Sequence, residues 1–218
     1  MASAKRSQLR GSDWTFRPQT ERLYLAFYKP FGILSQFTEE PGSKSGTLKE
    51  FDFPENVYPV GRLDADSEGL LLLTDDRRLN HRLLDPAWEH DRTYLVQVEN
   101  IPSPERLRLL AEGVEVKGAR TRKARAHLLK CEPDLPARDP PIRFRQTVPT
   151  AWIELTLREG KNRQVRRMTA AIDHPTLRLV RSAIGQLRLT DLGLNPGQWR
   201  RLTNDELKRV FAPSSTIS

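Results

Sequence analysis

Several residue types that define large enzyme classes are scarce in this chain of 218 residues. A single cysteine, Cys131, excludes an intrachain disulfide and a multi-cysteine zinc site. The four histidines are scattered, and no Gly-x-Gly-x-x-Gly turn or His-Glu-x-x-His pattern occurs. No apolar run approaches the ~18 residues of a membrane span, and the N-terminus lacks the apolar segment of a secretion signal. We therefore expect a cytoplasmic protein without membrane attachment.

Charge is abundant and unevenly placed. Lysine and arginine number 36 against 28 acidic residues, which gives a net charge of +8 and favours a polyanionic partner, nucleic acid before membrane. Residues 52–76 contain seven carboxylates and one base, Arg62, whereas residues 161–201 contain nine bases and two acids. These two segments are expected to attract each other across a cleft. A basic enzyme without a nucleic-acid partner remains the alternative.

The periodicity predicts an α+β fold. Strand-like runs such as "RTYLVQVE" and "TAWIELTL" outnumber helical ones, which predicts a mixed, mainly antiparallel sheet in two lobes flanked by helices, with the active-site cleft between them. Ser103-Pro104 and Thr203-x-x-Glu206 mark two helix starts. Residues 1–21 lack periodicity and are interpreted as a flexible basic arm, residues 22–212 as one catalytic domain and residues 213–218 as a tail.

Two further helices are predicted around the charged segments. Either Thr74 or Asp75 can cap a helix through "DRRLNHRLL". The other runs from about Asn162 to Ile172, and its N-terminal end attracts anions.

The stretch "GRLDADSEGLLLLTDD" (residues 61–76) combines five carboxylates with four consecutive leucines. Its acids nearly follow a calcium loop, but the preceding segment contains Pro54 and Pro59 and cannot form the entering helix that an EF-hand requires. Asp64 and Glu68 would suit paired glycosidic chemistry if they lay ~5 Å apart. A solvated acidic turn is the third interpretation, and the spacing alone does not choose among them.

Basic residues in and around the predicted helix from about Asn162 to Ile172 suggest a function for the carboxylates of residues 61–76. In "GKNRQVRRMTAAI" an apolar stripe faces away from Arg163, Arg166 and Arg167, and Lys161 lies at the helix start. Lys161 and Arg163 are therefore candidate contacts for RNA phosphates. An ionised carboxylate held by arginine beside such a surface is suited to attack a nucleic-acid sugar or base.

Four stretches in order resemble the pseudouridine synthases, in particular the RsuA-like family. They are "FYKPFGILSQF", "GRLDADSEGLLLLT", "RTYLVQV" and "LREGKNRQVRRMTAAIDHPTLRLVRSAIGQLRL", and the resemblance as a whole runs from about residue 23 to 203. The resemblance implies that Asp64 is the catalytic aspartate and that Arg62 helps to hold the place of the flipped-out nucleotide. It also implies that Tyr94 stacks on the target base and that Arg166 pairs with Asp64. Nothing in the motif assigns chemistry to Asp66.

The implied activity is isomerisation of one uridine in ribosomal RNA, expected to be large-subunit (23S) RNA, to pseudouridine. This reaction needs no cofactor and no metal. The expected partner is ribosomal RNA, free or in a pre-ribosomal particle, and the expected state is a monomer. Ser67 and Arg92 depart conservatively from the family pattern, and residues 1–21 are too few for the RNA-binding module that many relatives carry.

Two other functions are weighed against this one. A uridine C5-methyltransferase would need a cysteine nucleophile and a glycine-rich cofactor turn, and neither is evident. A non-catalytic ribosomal-RNA-binding or ribosome assembly factor would use the same basic surface without chemistry at Asp64.

Overall fold

The strands form two sheets, a mixed main sheet of nine strands and a separate sheet of two. The structure is a computed structural model that describes residues 22–85, 90–142 and 147–212. Its strands are β1 (Tyr24–Lys29), β2 (Tyr58–Pro59), β3 (Glu68–Thr74), β4 (Arg92–Glu99), β5 (Glu115–Val116), β6 (Ala119–Arg120), β7 (Arg125–Leu128), β8 (Thr150–Leu157), β9 (Thr176–Ile184), β10 (Leu187–Arg188) and β11 (Trp199–Arg201). Its α-helices are α1 (Arg77–Leu84), α2 (Pro104–Glu112), α3 (Gln164–Ala170) and α4 (Asn204–Phe211).

The main sheet has the order β11-β1-β3-β9-β4-β8-β7, with β2 added to β3 and β10 added to β9. Among the described strand pairs, β3 and β9 run parallel and the others are antiparallel. The α+β fold with a mixed, mainly antiparallel sheet is therefore confirmed. The parallel pair joins two halves, one built from β1, β2, β3 and β11 and the other from β4, β7, β8 and β9.

The leucine run explains how this junction is stabilised. On β3, Leu71 and Leu73 join the apolar cluster on one face of the sheet, and Leu70 and Leu72 join the cluster on the other face. All four are buried, since a strand covered on both faces buries both of its alternating sets of side chains. The junction strand is thus anchored in two cores at once.

The helix starts agree in part with the sequence. Ser103 caps α2 and Thr203 caps α4, both as predicted. The cap of α1 is Asp76, so the prediction of Thr74 or Asp75 was wrong by one or two residues. Thr74 is the last residue of β3, and its hydroxyl accepts a hydrogen bond from the Asp76 amide.

The predicted arm (1–21) and tail (213–218) lie outside the described residues. Within the described ranges, no helix has the length and apolar character needed to cross a membrane.

Candidate active site

The Asp64 loop lies immediately before β3, at the junction of the two halves of the sheet. Ser35 fixes one side of this loop, because its hydroxyl donates to the Leu63 carbonyl (2.9 Å) and accepts from the Leu63 amide (3.0 Å). The Gly32 amide donates to the Ala65 carbonyl over 2.8 Å. The backbone on both sides of Asp64 is therefore held by the segment that follows β1.

Lys29 supports the loop from beneath. Its fully buried ammonium group donates to the carbonyl oxygens of Pro30 (2.9 Å), Ile33 (2.6 Å) and Ala65 (3.4 Å). Burial lowers the pKa of Lys29 to about 7, although the nearby carboxylates, Glu68 foremost, act in the opposite direction. Sequence analysis did not select this lysine, since a lysine at the end of a strand is usually exposed.

Asp64 remains accessible in this rigid loop. The Arg163 guanidinium lies close by, with Nη1 3.7 Å from Asp64 Oδ2. Of the residues that the structure describes, none donates a hydrogen bond to the Asp64 carboxylate. Arg163 approaches from just before α3 with left-handed backbone angles (φ 50°, ψ 33°), a conformation that costs roughly 1–2 kcal/mol for a non-glycine residue. Strain of this kind is common where a functional side chain must be aimed.

Asp66 contacts both Arg163 and Arg166, of which Arg166 was expected to pair with Asp64. Arg163 donates a bidentate pair to it, at 3.0 and 2.8 Å. Arg166 places Nε 3.3 Å from the Asp66 carboxylate and donates from Nη2 to the Asp66 carbonyl oxygen at 2.6 Å. Burial alone would raise the pKa of Asp66, but the hydrogen bonds from Arg163 and the charge of Arg166 lower it overall. In this structure, the expected direct pairing of Arg166 with Asp64 is therefore replaced by pairing with Asp66.

Helix α3 starts two residues later than predicted, because Arg163 is not helical. Its buried side, which includes Val165 and Met168, packs in the core as the periodicity indicated. Arg167 turns away from the loop and donates to the carbonyl and side-chain oxygens of Asn162 (2.5 and 2.7 Å).

Two more predicted contact residues lie at the edges of this arrangement. Arg62 donates to the Gln36 side chain over 3.2 Å and is exposed. Lys161 pairs with Glu159 at 3.5 Å and is about half exposed. Both cations remain available to a polyanion, since exposed pairs of this kind are weak.

Tyr94 approaches the loop from β4. It shares an apolar cluster with Leu63, the residue before Asp64, and is 9% exposed. In the sheet, Arg181 of β9 lies between Tyr94 of β4 and Gly69 of β3. Burial lowers the pKa of the Arg181 guanidinium, while its electrostatic interaction with Tyr94 acts in the opposite direction. Gly69 is required here, because its φ is +104° and a Cβ would lie 2.4 Å from the Arg181 carbonyl oxygen.

An accessible carboxylate next to two arginines, beneath a basic surface, can act on a ribonucleotide. Residues 23–171 match the family model for RNA pseudouridylate synthase, which is more than half of the chain. The chain belongs to the RNA pseudouridylate synthase family.

Individual relatives agree with this assignment. The synthase is 54% identical over 172 residues to ribosomal large subunit pseudouridine synthase E of Xanthomonas campestris pv. campestris, which covers 79% of this chain and 91% of that protein. It is 38% identical over 192 residues to ribosomal large subunit pseudouridine synthase B of Bacillus subtilis, which covers 88% of this chain and 72% of that protein. A crystal structure of a pseudouridylate synthase superimposes with a TM-score of 0.71 at 29% identity, covering 87% of this chain and 74% of that one.

In the synthase, Glu68 forms a buried ion pair that stabilises the sheet. Both carboxylate oxygens accept from Arg178 of β9, at 2.9 and 2.7 Å, and the two side chains are 3% and 7% exposed. Arg178 also donates to the Pro136 carbonyl, at 2.8 Å, which ties the loop before β8 to the sheet. Pairing of Asp64 with Glu68 as two catalytic acids does not fit this arrangement. Sequence analysis missed the ion pair, because 110 residues separate its members.

The remaining acids of the motif also have separate structural roles. Asp75 accepts from the Leu23 amide at 3.0 Å, and Asp76 caps α1 and accepts from the Tyr24 hydroxyl at 2.9 Å. The calcium-loop interpretation is therefore not supported, since these carboxylates point to different partners.

Proposed function

We propose that the synthase converts a specific uridine of large-subunit ribosomal RNA to pseudouridine, with Asp64 as the catalytic carboxylate. One observation carries the assignment to Asp64. Among the five carboxylates of its motif, Asp66, Glu68, Asp75 and Asp76 are engaged in hydrogen bonds, whereas no described residue donates to that of Asp64. The names of the relatives support the choice of large-subunit RNA.

The target uridine must leave the base stack before its glycosidic bond can be reached, at a cost of a few kcal/mol. Asp64 then acts on the ribosyl-uracil unit, and the bond between N1 and C1′ breaks. The uracil turns and a bond forms between C5 and C1′, while the proton lost from C5 is balanced by one gained at N1. Atoms and oxidation state are conserved, so the reaction requires no co-substrate.

The surrounding residues have supporting roles in this proposal. Tyr94 stacks on the flipped base, and Arg62 helps to keep the vacated position in the RNA. Arg163 and Lys161 bind phosphates, and Arg166 fixes the loop from below through its contacts with Asp66. Guanidinium groups are suited to this task because they match phosphate geometry with two parallel hydrogen bonds.

The wider setting follows from the same proposal. Residues 22–212 form the catalytic domain of a monomer that acts in the cytoplasm, on RNA alone or on a pre-ribosomal particle. The arm of residues 1–21 adds cations, and the tail of residues 213–218 has no assigned part.

The test compares Asp64→Asn with Asp205→Asn on large-subunit ribosomal RNA. Asp205 is an exposed residue of α4 that pairs with Lys208, so it controls for loss of one carboxylate. Pseudouridine is detected by carbodiimide labelling, nuclease digestion and mass spectrometry. We expect no product with Asp64→Asn, wild-type product with Asp205→Asn, and unchanged melting and RNA affinity for both. Ribosome assembly that depends on the protein but proceeds normally with Asp64→Asn would instead support a non-catalytic assembly factor.

A further inference from the structure

Asp64 and Asp66 share one arginine unequally. Arg163 gives both arms of its guanidinium to Asp66 and stays 3.7 Å from Asp64 without a hydrogen bond. Exposure does not explain the difference, since the two carboxylates are 33% and 34% exposed. The preference must therefore come from how the three side chains are held.

Asp66 is also held by a second arginine, Arg166. Arg166, whose side chain is only 13% exposed, contacts both the carboxylate and the backbone carbonyl of Asp66. Arg163 is 42% exposed, and among the described residues the hydrogen-bond partner of its guanidinium is Asp66. The more exposed cation is thus oriented by a carboxylate that is itself held by a buried cation.

We propose that Asp66 is a positioning residue, which holds the Arg163 guanidinium close to Asp64 while keeping the Asp64 oxygens free. This inference rests on the proposed catalytic role of Asp64. A bidentate pair with Asp64 itself would occupy the lone pairs that the reaction needs.

This arrangement predicts how catalysis should be impaired when Asp66 loses its charge. The Arg163 guanidinium, no longer bound by Asp66, then lies 3.7 Å from the Asp64 carboxylate. A small movement of the guanidinium brings the two groups to hydrogen-bonding distance. Asp64 would still be present, but Arg163 would cover its oxygens. The loss would fall on the chemical step, because Arg163 would still lie at the surface near the RNA.

The experiment measures single-turnover rates at saturating RNA, and RNA affinity, for Asp66→Asn, Asp66→Glu, Arg163→Gln and the double variant Asp66→Asn/Arg163→Gln. For Asp66→Asn we expect a rate loss between about 10- and 100-fold, as for other misplaced catalytic groups, with affinity nearly unchanged. Arg163→Gln should mainly weaken binding. The double variant should react faster than Asp66→Asn, because the arginine that covers Asp64 is gone, and Asp66→Glu should retain more activity than Asp66→Asn.

If Asp66 had only a structural role, the double variant would react no faster than Asp66→Asn, and that result would overturn the proposal. A wild-type rate for Asp66→Asn would overturn it as well. Melting curves establish that each variant is folded, and Asp66→Ser replaces Asn if the latter does not fold. Failure of both to fold also counts against the proposal, since a positioning residue must be dispensable for folding. Wild-type enzyme and Asp205→Asn are assayed in parallel, so absence of pseudouridine in both would contradict the proposed function instead.

Discussion

Replacement of Glu68 by glutamine tests whether this acid, the first residue of β3, has a structural role. The change leaves the Arg178 guanidinium buried without its counter-charge, although its hydrogen bond to Pro136 remains. Breaking a buried pair by removing one partner typically costs about 3–5 kcal/mol. Each kcal/mol shifts the melting temperature of a domain of this size by about 2–4 °C, so we expect a decrease of roughly 6–20 °C.

Thermal and urea unfolding at neutral pH would measure this loss, with Asp205→Asn as the matched control. That control removes a carboxylate from an exposed pair, which typically contributes less than about 1 kcal/mol. The double variant Glu68→Leu/Arg178→Met should be more stable than Glu68→Gln, since it removes both buried charges together. Below its melting temperature, Glu68→Gln should still form pseudouridine.

Two results would refute this reasoning. A loss of less than about 1 kcal/mol for Glu68→Gln would mean that Arg178 is adequately solvated or paired without Glu68. A folded Glu68→Gln variant without activity would mean that Glu68 takes part in the chemistry, as in the two-carboxylate interpretation of the motif.

Three further predictions concern the surroundings of the site. Gly69→Ala should destabilise the protein by about 2–6 kcal/mol in urea unfolding, because strain at positive φ and a clash with the Arg181 carbonyl each cost about 1–3 kcal/mol. Arg166→Ala should lower stability by about 1–3 kcal/mol and reduce turnover, whereas Arg167→Ala should change stability by less than about 0.5 kcal/mol; equal effects in the two variants would contradict the assigned contacts. Burial lowers the pKa of Lys29 from its ordinary 10.5 to about 7, so between these two pH values the unfolded chain binds more protons than the folded one. The stability of the wild type relative to Lys29→Met should therefore rise with pH across that window. A stability difference that does not change with pH would show that Lys29 is not desolvated.

Much of the fold was predictable, because its signals are local. The alternation in β4 and β8, the caps of α2 and α4 and the buried leucines of β3 each depend on a few neighbouring residues. The start of α3 was predicted two residues early, because sequence periodicity does not reveal that Arg163 adopts a left-handed conformation. That conformation accompanies contacts with residues far away in the chain.

The members of the candidate site were predictable as residue types but not as pairs. The motif resemblance selected Asp64 and Arg166, and both lie at the junction of the two halves of the sheet. Which arginine contacts which carboxylate depends on ångström-scale placement of two segments 97 to 100 residues apart. Lys29 was missed for a related reason, since its burial depends on the loop that folds over it.

The parallel pairing of β3 with β9 also determines when during synthesis the site can form. Asp64 is made early, but its loop and the start of β3 depend on contacts with residues 97 to 111 positions later in the chain, which lie just before α3, in α3 and in β9. Contacts between such distant residues close large loops and tend to form late in folding. A nascent chain therefore contains Asp64 and Asp66 while the 97 positions that lead from Asp66 to Arg163 are still being added. The candidate site is complete only after β9 has been made and has paired with β3.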